Sequence, residues 1–349
     1  MAQQQYTLGP VTVRVTFAAA RLQVRVQELW RLLFQIQPAP PTAAATIDLH
    51  FIPQRKHDLF ATAAELFRYM NIGVFQSTEY FLLRCGATNL CIDTRHCRAT
   101  GTLADDFWHY SLAEQREFFQ LTFFLLLRAR GYYLLHANAL GPPLDAQRLD
   151  PQAGILLIGD SGVGKTTLTL SLLQSGWRVV GDDLSLLAAV GSSAVTVYGL
   201  RRGFSCTLQA IAAFPDLQPL VRAESDLRRG KKYLQLDTRY PDRFIHQCAP
   251  QLLLFPALTD IAISQTTGLS ATETMDLLLS QPRAGILVDP PTVAGHLQMY
   301  GRLIRQTQSC RLLLGRDVFT DPQRVSRLLQ LHLHDLPKES RTYDQLTID

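Results

Sequence analysis

Gly159-Asp160-Ser161-Gly162-Val163-Gly164-Lys165-Thr166 has the spacing of a phosphate-binding loop: a glycine, four open positions, then Gly-Lys and a hydroxyl residue. Upstream, Gly154 to Ile158 is a short unbroken apolar run, which predicts a strand buried on both faces. Downstream, Leu168, Leu172 and Leu173 recur at helical spacing, and Gly176 can end that helix in a left-handed turn. Strand, glycine-rich turn and helix therefore follow one another in the order the motif needs. Glycines let the backbone wrap so that successive N–H groups converge on phosphate oxygens. The first helical turn adds unsatisfied donors and the positive end of the helix dipole. Lys165 is expected to reach the β- and γ-phosphates and the Thr166 hydroxyl to ligate Mg²⁺, with Thr167 beside it in the same turn. The expected ligands are ATP and Mg²⁺.

Val179-Val180-Gly181 reads as the next strand, with Asp182-Asp183 at its carboxyl end. Ligands of open α/β sheets bind outside such ends. A carboxylate there can hold Mg²⁺ or accept a proton from an attacking hydroxyl. Neighbours in extended chain point to opposite faces, so the two aspartates need not share one job, and alternation leaves open which does which.

Gly159 through Lys165, the helix-ending Gly176 and Asp182-Asp183 at this distance from Lys165 together resemble the catalytic domain of HPr kinase/phosphorylase. That family shares its nucleotide-binding core with ATP-dependent phosphoenolpyruvate carboxykinase. The resemblance implies an α+β or α/β catalytic domain in which the phosphate loop crosses a mostly β domain, not a Rossmann-type sheet. It also includes a histidine one strand before the loop, matched here by His136 in Leu134-Leu135-His136-Ala137. It implies transfer of a phosphoryl group to a serine hydroxyl with Asp183 as base. The resemblance is strong over 134–190 and extends by general layout to about 330. The Gly/Ile-rich signature of the bifunctional enzymes, with its Mg²⁺-binding glutamate, is missing; Val197-Tyr198-Gly199-Leu200-Arg201-Arg202-Gly203 stands roughly in its place. The N-terminal region does not resemble theirs either, which argues against HPr itself as the substrate. The chain looks more like the looser HPr-kinase-related group, some of which modify peptides in biosynthetic clusters.

The 349 residues suit two domains or one large one, and 47% hydrophobic with 18% charged residues is a globular composition. A net charge of +4 permits an acidic partner without requiring nucleic acid. The amino terminus lacks a signal-peptide pattern, and the most apolar run, Leu121 to Leu127, is interrupted by Thr122 and far short of a membrane span. A cytoplasmic protein with no nucleic-acid or membrane partner is therefore expected, and a homo-oligomer is allowed. Cys85, Cys91 and Cys97 recur every six residues, wider than zinc-ligand pairs, so they read as free thiols.

Val11, Val13, Val15 and Phe17 alternate with polar residues, as do Ile47, Leu49 and Phe51; both predict half-exposed strands. Leu22 to Phe34 fits either a strand or an amphipathic helix, with the helix preferred, and Pro38-Ala39-Pro40-Pro41 reads as a stiff connector. Further strands are expected at Phe75–Cys85 and Leu90–Asp93. Residues 1–105 thus read as a small β-rich accessory domain, 106–335 as the catalytic domain and 336–349 as a polar tail. Ser111 to Glu114 has capping-box spacing and opens a long apolar helix ending near Gly131. Tyr132 to Leu140 then reads as one strand able to pair with 154–158. Leu252 to Phe255 and Cys310 to Leu314 read as strands. Helices are expected from Ser270 to Leu279, over Thr292–Gln306, and after Asp321-Pro322. Arg201-Arg202 and Arg228-Arg229-Gly230-Lys231-Lys232 read as solvated basic faces, or as contacts to nucleotide or acceptor.

The expected function is an ATP-dependent kinase acting on a serine or threonine hydroxyl of a peptide or small protein, or on a small-molecule alcohol. Mg-ATP would sit on 159–166, Lys165 would stabilise charge on the γ-phosphate, and Asp182 would help hold Mg²⁺ directly or through water. The rival reading is a nucleotide-dependent switch or scaffold with slow ATP hydrolysis, which needs no base aimed at an acceptor. Carboxykinase activity finds less support, because no separate residue set for a dicarboxylate and Mn²⁺ is visible.

Overall fold

The computed structural model of the chain describes residues 2–40, 46–52, 63–146, 149–189, 194–200, 203–226, 230–281 and 290–334. Pro41 of the connector, Arg201-Arg202, Arg228-Arg229 and the tail 336–349 lie outside them. The fold is mixed α/β, with helices and sheets in each of two compact units. One unit comprises Met1–Leu134, Leu200–Leu208 and Leu220–Gln235; the other comprises Leu135–Gly199, Gln209–Pro219 and Leu236–Asp349. The expected boundary at 105 differs from this division, in which the helix Leu112–Arg128 counts with the first unit and two later segments return to it.

In the first unit, the described strands from Ala2 to Thr102 form one sheet, nine-stranded among the described residues. Val11, Val13, Val15 and Phe17 are all buried, which is what the alternating pattern of the strand Val11–Phe17 dictates. That strand pairs antiparallel with Ala2–Leu8 and parallel with Ile47–Phe51. The helix Ala20–Leu33 buries Val26, Leu29, Trp30 and Leu33. Trp30 then meets Phe119 edge-on at 5.3 Å and Phe123 at 5.5 Å, both from the helix Leu112–Arg128. The latter helix opens with a complete capping box between Ser111 and Glu114. The expected strand Phe75–Cys85 is instead two strands, Ile72–Gln76 and Phe81–Cys85. The chain turns between them because the Ser77 hydroxyl accepts from the Glu79 and Tyr80 N–H groups, a local alternative to the ladder.

In the second unit, the strand Ala153–Ile158 is buried along its whole length. It runs parallel to Gln247–Leu258 on one side and antiparallel to Ala137–Gly141 on the other. Gln308–Leu314 extends the sheet by a second parallel pairing with Gln247–Leu258. Arg178–Gly181 pairs antiparallel with the far edge of Ala137–Gly141. The sheet is therefore mixed, and its parallel and antiparallel neighbours meet at the strand that feeds the glycine-rich loop. The expected strand over Tyr132–Leu140 is broken into Tyr133–Leu135 and Ala137–Gly141, with His136 at the break. The helices Ala271–Leu279, Pro290–Gln306 and Pro322–His334 lie where the capping and periodicity signals put them. Among the described residues no helix is long and apolar enough to cross a membrane.

All six cysteines are free. Burial pushes the Cys85 and Cys248 thiols up to about 12 and that of Cys91 up to about 11, from an ordinary 9.0. The neutral thiol is the folded form. Stability held by these groups is present below about pH 9 and is lost as pH rises toward 12, because only the unfolded chain then ionises freely. A thiol reagent at about pH 8 is expected to label these three residues in the native protein far more slowly than in the denatured one. Rapid native labelling of Cys248, followed by peptide mapping, would contradict this burial.

Candidate functional site

The strand Ala153–Ile158 ends at Gly159, and the helix Lys165–Gln174 begins after Gly164. Gly159, Gly162 and Gly164 have φ of 149°, 96° and 102°, so the loop is built on backbone conformations that favour glycine. Gly164 has a second constraint. A Cβ placed there would stand 2.8 Å from Leu314 Cδ1 and 3.1 Å from Leu258 Cγ. Gly164→Ala is accordingly expected to weaken ATP binding at least about tenfold and to destabilise the fold by about 1–3 kcal/mol. Calorimetric titration and thermal melting check both; wild-type affinity in the variant would show that the loop does not carry nucleotide. At the far end, Gly176 adopts φ 91° and donates to Leu173 O, while Trp177 donates to Leu172 O, so the helix stops as expected. Asp160, Ser161 and Gly162 are exposed, while Thr166 and Thr167, in the first turn of the helix, are half-buried.

Lys165 is only 6% exposed, and its Nζ donates to the carbonyls of Gly159 and of Asp160, the latter at 2.9 Å. The loop itself therefore folds around the lysine, which is not a loose side chain waiting on ligand. The same Nζ lies 3.2 Å from His136 Nε2. On its other side, His136 Nδ1 lies 3.1 Å from Asp183 Oδ1. Three residues distant in sequence thus make a continuous chain, Lys165 to His136 to Asp183. His136 is placed there by the strand break that separates Leu135 from Ala137.

The two aspartates are not related by simple strand alternation. Asp183 has φ 62°, in the left-handed region, and Leu184 N donates to Asp182 O at 2.7 Å, closing a tight turn after Gly181. Aspartate is among the few non-glycine residues that adopt this conformation readily. The turn splits the environments of the two carboxylates. Asp182 is 1% exposed and its Oδ1 accepts from Asn138 Nδ2 at 2.8 Å. The Asp183 side chain is 25% exposed and sits beside His136.

Asn138 is a residue that motif reading passed over. It is fully buried and uses its amide three ways: Nδ2 donates to Asp182 Oδ1 and, at 2.9 Å, to Thr169 Oγ1, while Oδ1 accepts from the Asp183 N–H at 2.9 Å. Thr169 in turn donates to the Lys165 carbonyl at 2.9 Å. The one signal available in sequence was a carboxamide inside the otherwise apolar run Ala137–Leu140, a position that folding fills only when the amide is fully hydrogen-bonded.

The HPr kinase/phosphorylases of two Treponema pallidum strains, Nichols and one other, are each 41% identical to this chain over 49 residues, 14% of this chain and 15% of theirs. Over that stretch the chain is HPr-kinase-like. The matched stretch spans about one seventh of the length of these relatives. The Hpr(Ser) kinase/phosphatase from Coxiella burnetii aligns over 57% of this chain and 95% of its own, at 14% identity and a TM-score of 0.28. No family model matches the chain.

Proposed function

We propose that the protein is an ATP-dependent kinase that transfers a phosphoryl group to a hydroxyl of a peptide or small protein. The observation that carries this reading is the chain Lys165–His136–Asp183, with separations of 3.2 and 3.1 Å, at the mouth of a glycine-rich loop. The residues present suit Mg-ATP: a glycine-built turn at a helix start, a lysine fixed within it, a threonine hydroxyl, and two carboxylates in different environments. When bound, Mg-ATP supplies the transferable phosphoryl group and a divalent charge that neutralises the phosphate oxygens.

The protein's own residues divide the remaining work. The loop 159–166 binds phosphate through its N–H groups, and Lys165 adds a positive charge held in place by two carbonyls. Thr166 and Asp182 are the metal-holding residues, the second kept in one orientation by Asn138. Asp183, the more exposed of the pair, takes the proton from the acceptor hydroxyl. His136 lies between Lys165 and Asp183 and orients that carboxylate toward the loop. A base beside the loop is what a kinase requires and a slow nucleotide switch does not. The name of the Treponema relatives supports a kinase, and the acceptor hydroxyl is proposed as that of a serine or threonine.

ATP consumption measured with and without a set of serine- and threonine-containing peptides tests this. Stimulation by one peptide, with phosphate recovered on its hydroxyl, is the expected result. ATP hydrolysis that no acceptor alters would favour the switch.

A further inference from the structure

We propose that Asn138, locked by Thr169, is a positioning residue that couples the phosphate-loop helix to the Asp182-Asp183 turn, so that metal-bound nucleotide is held more tightly than nucleotide alone. The inference rests on the nucleotide-site reading and adds to it the device that sets the carboxylates. A carboxamide has two N–H donors and one carbonyl acceptor with two lone pairs. Here both donors are used, on Thr169 Oγ1 and Asp182 Oδ1, and the carbonyl takes the Asp183 N–H. The amide can be oriented in only one way, because Asp182 Oδ1 must receive a donor and the Asp183 N–H must meet an acceptor. Thr169 fixes the assignment further: its hydroxyl proton is committed to the Lys165 carbonyl, so it can only accept from Asn138. A single fully buried side chain therefore ties together the start of the helix, the carboxylate of one aspartate and the backbone of the next.

Replacement of Asn138 by an apolar side chain would leave the buried Asp182 carboxylate without this donor and the left-handed Asp183 without its N–H partner. Neither defect removes a direct contact to the loop glycines or to the Lys165 ammonium. The expected signature is thus a selective one. Groups that orient metal ligands from behind typically contribute about 10- to 100-fold to metal affinity. Metal-free ATP affinity should hardly move, since the phosphate loop is intact.

The test is calorimetric titration of ATP, first with EDTA and then with Mg²⁺, on the full chain carrying Asn138→Leu and, separately, Thr169→Val. Wild type is expected to bind more tightly with Mg²⁺. Asn138→Leu should lose at least about tenfold of that increment with its metal-free affinity within about threefold of wild type. Thr169→Val, a milder change that keeps the bonds to Asp182 and Asp183, should shift the increment in the same direction by less. It also serves if Asn138→Leu does not fold. Equal losses with and without metal would make Asn138 a structural residue only and overturn the proposal. So would an unchanged Mg²⁺ increment in both folded variants, or in Thr169→Val alone if it is the one that folds. If wild type binds no ATP under either condition, the nucleotide reading fails and this inference with it, an outcome distinct from a failure confined to the variants.

Discussion

Lys165→Ala is expected to abolish Mg-ATP turnover and to weaken ATP binding by about thirtyfold to several thousandfold while the protein stays folded. The range corresponds to the roughly 2–5 kcal/mol lost when one partner of a charged hydrogen-bonded contact is truncated. Survival of the fold follows from where Nζ is anchored. Its partners include the carbonyls of Gly159 and Asp160, and Asp160 is exposed, so water can reach this part of the loop once the ammonium is gone. The remaining helix face, carried by Leu168, Leu172 and Leu173, is buried independently of the lysine. Circular dichroism and melting should therefore change little while calorimetric titration loses its signal. A folded variant with unchanged ATP affinity would remove the phosphate loop from the nucleotide site.

Asp183→Asn is expected to lower the transfer rate by about a hundred- to ten-thousandfold, the usual range for loss of a general base. The substitution is close to isosteric, and asparagine tolerates the left-handed region as well as aspartate does, so φ 62° survives it. The amide oxygen can still face His136, so the variant removes basicity rather than position. ATP affinity should stay near wild type. Asp182→Asn should behave differently and raise the Mg²⁺ concentration needed for half-maximal rate, because its carboxylate is the one that Asn138 orients. Turnover against Mg²⁺ concentration for both variants, with ATP binding measured separately, distinguishes the roles. Near wild-type transfer by Asp183→Asn would show that another group takes the proton. Indifference of both variants would leave the nucleotide switch as the better account.

Much of this site could be read before folding because its chemistry is local. The turn from strand to helix over 158–165 is a backbone requirement, and glycines at 159, 162 and 164 advertise it within eight residues. The helix stop at Gly176, the capping boxes at Ser111 and Ser270, and the alternation of Val11–Phe17 are equally local. What misled was also local in origin. An apolar run through Tyr132–Leu140 carries no mark of the break at His136, and Phe75–Cys85 hides a serine turn among strand formers. Strand alternation at Asp182-Asp183 presumed extended backbone, whereas the chain turns there with Asp183 in the left-handed region.

By itself, then, the sequence determined that a glycine-built turn joins strand to helix, which residues form it, and that two carboxylates follow one strand later. Only the tertiary structure decided what those groups touch. His136, Asn138, Lys165, Thr169 and Asp183 are brought together because Ala137–Gly141 pairs with the loop-bearing strand on one edge and with Arg178–Gly181 on the other. That pairing is a long-range register, set by which apolar faces bury together and by the need to satisfy each buried polar group. A carboxamide at 138 has no fixed meaning until its three partners arrive from other segments, and the strand pairing is what delivers them.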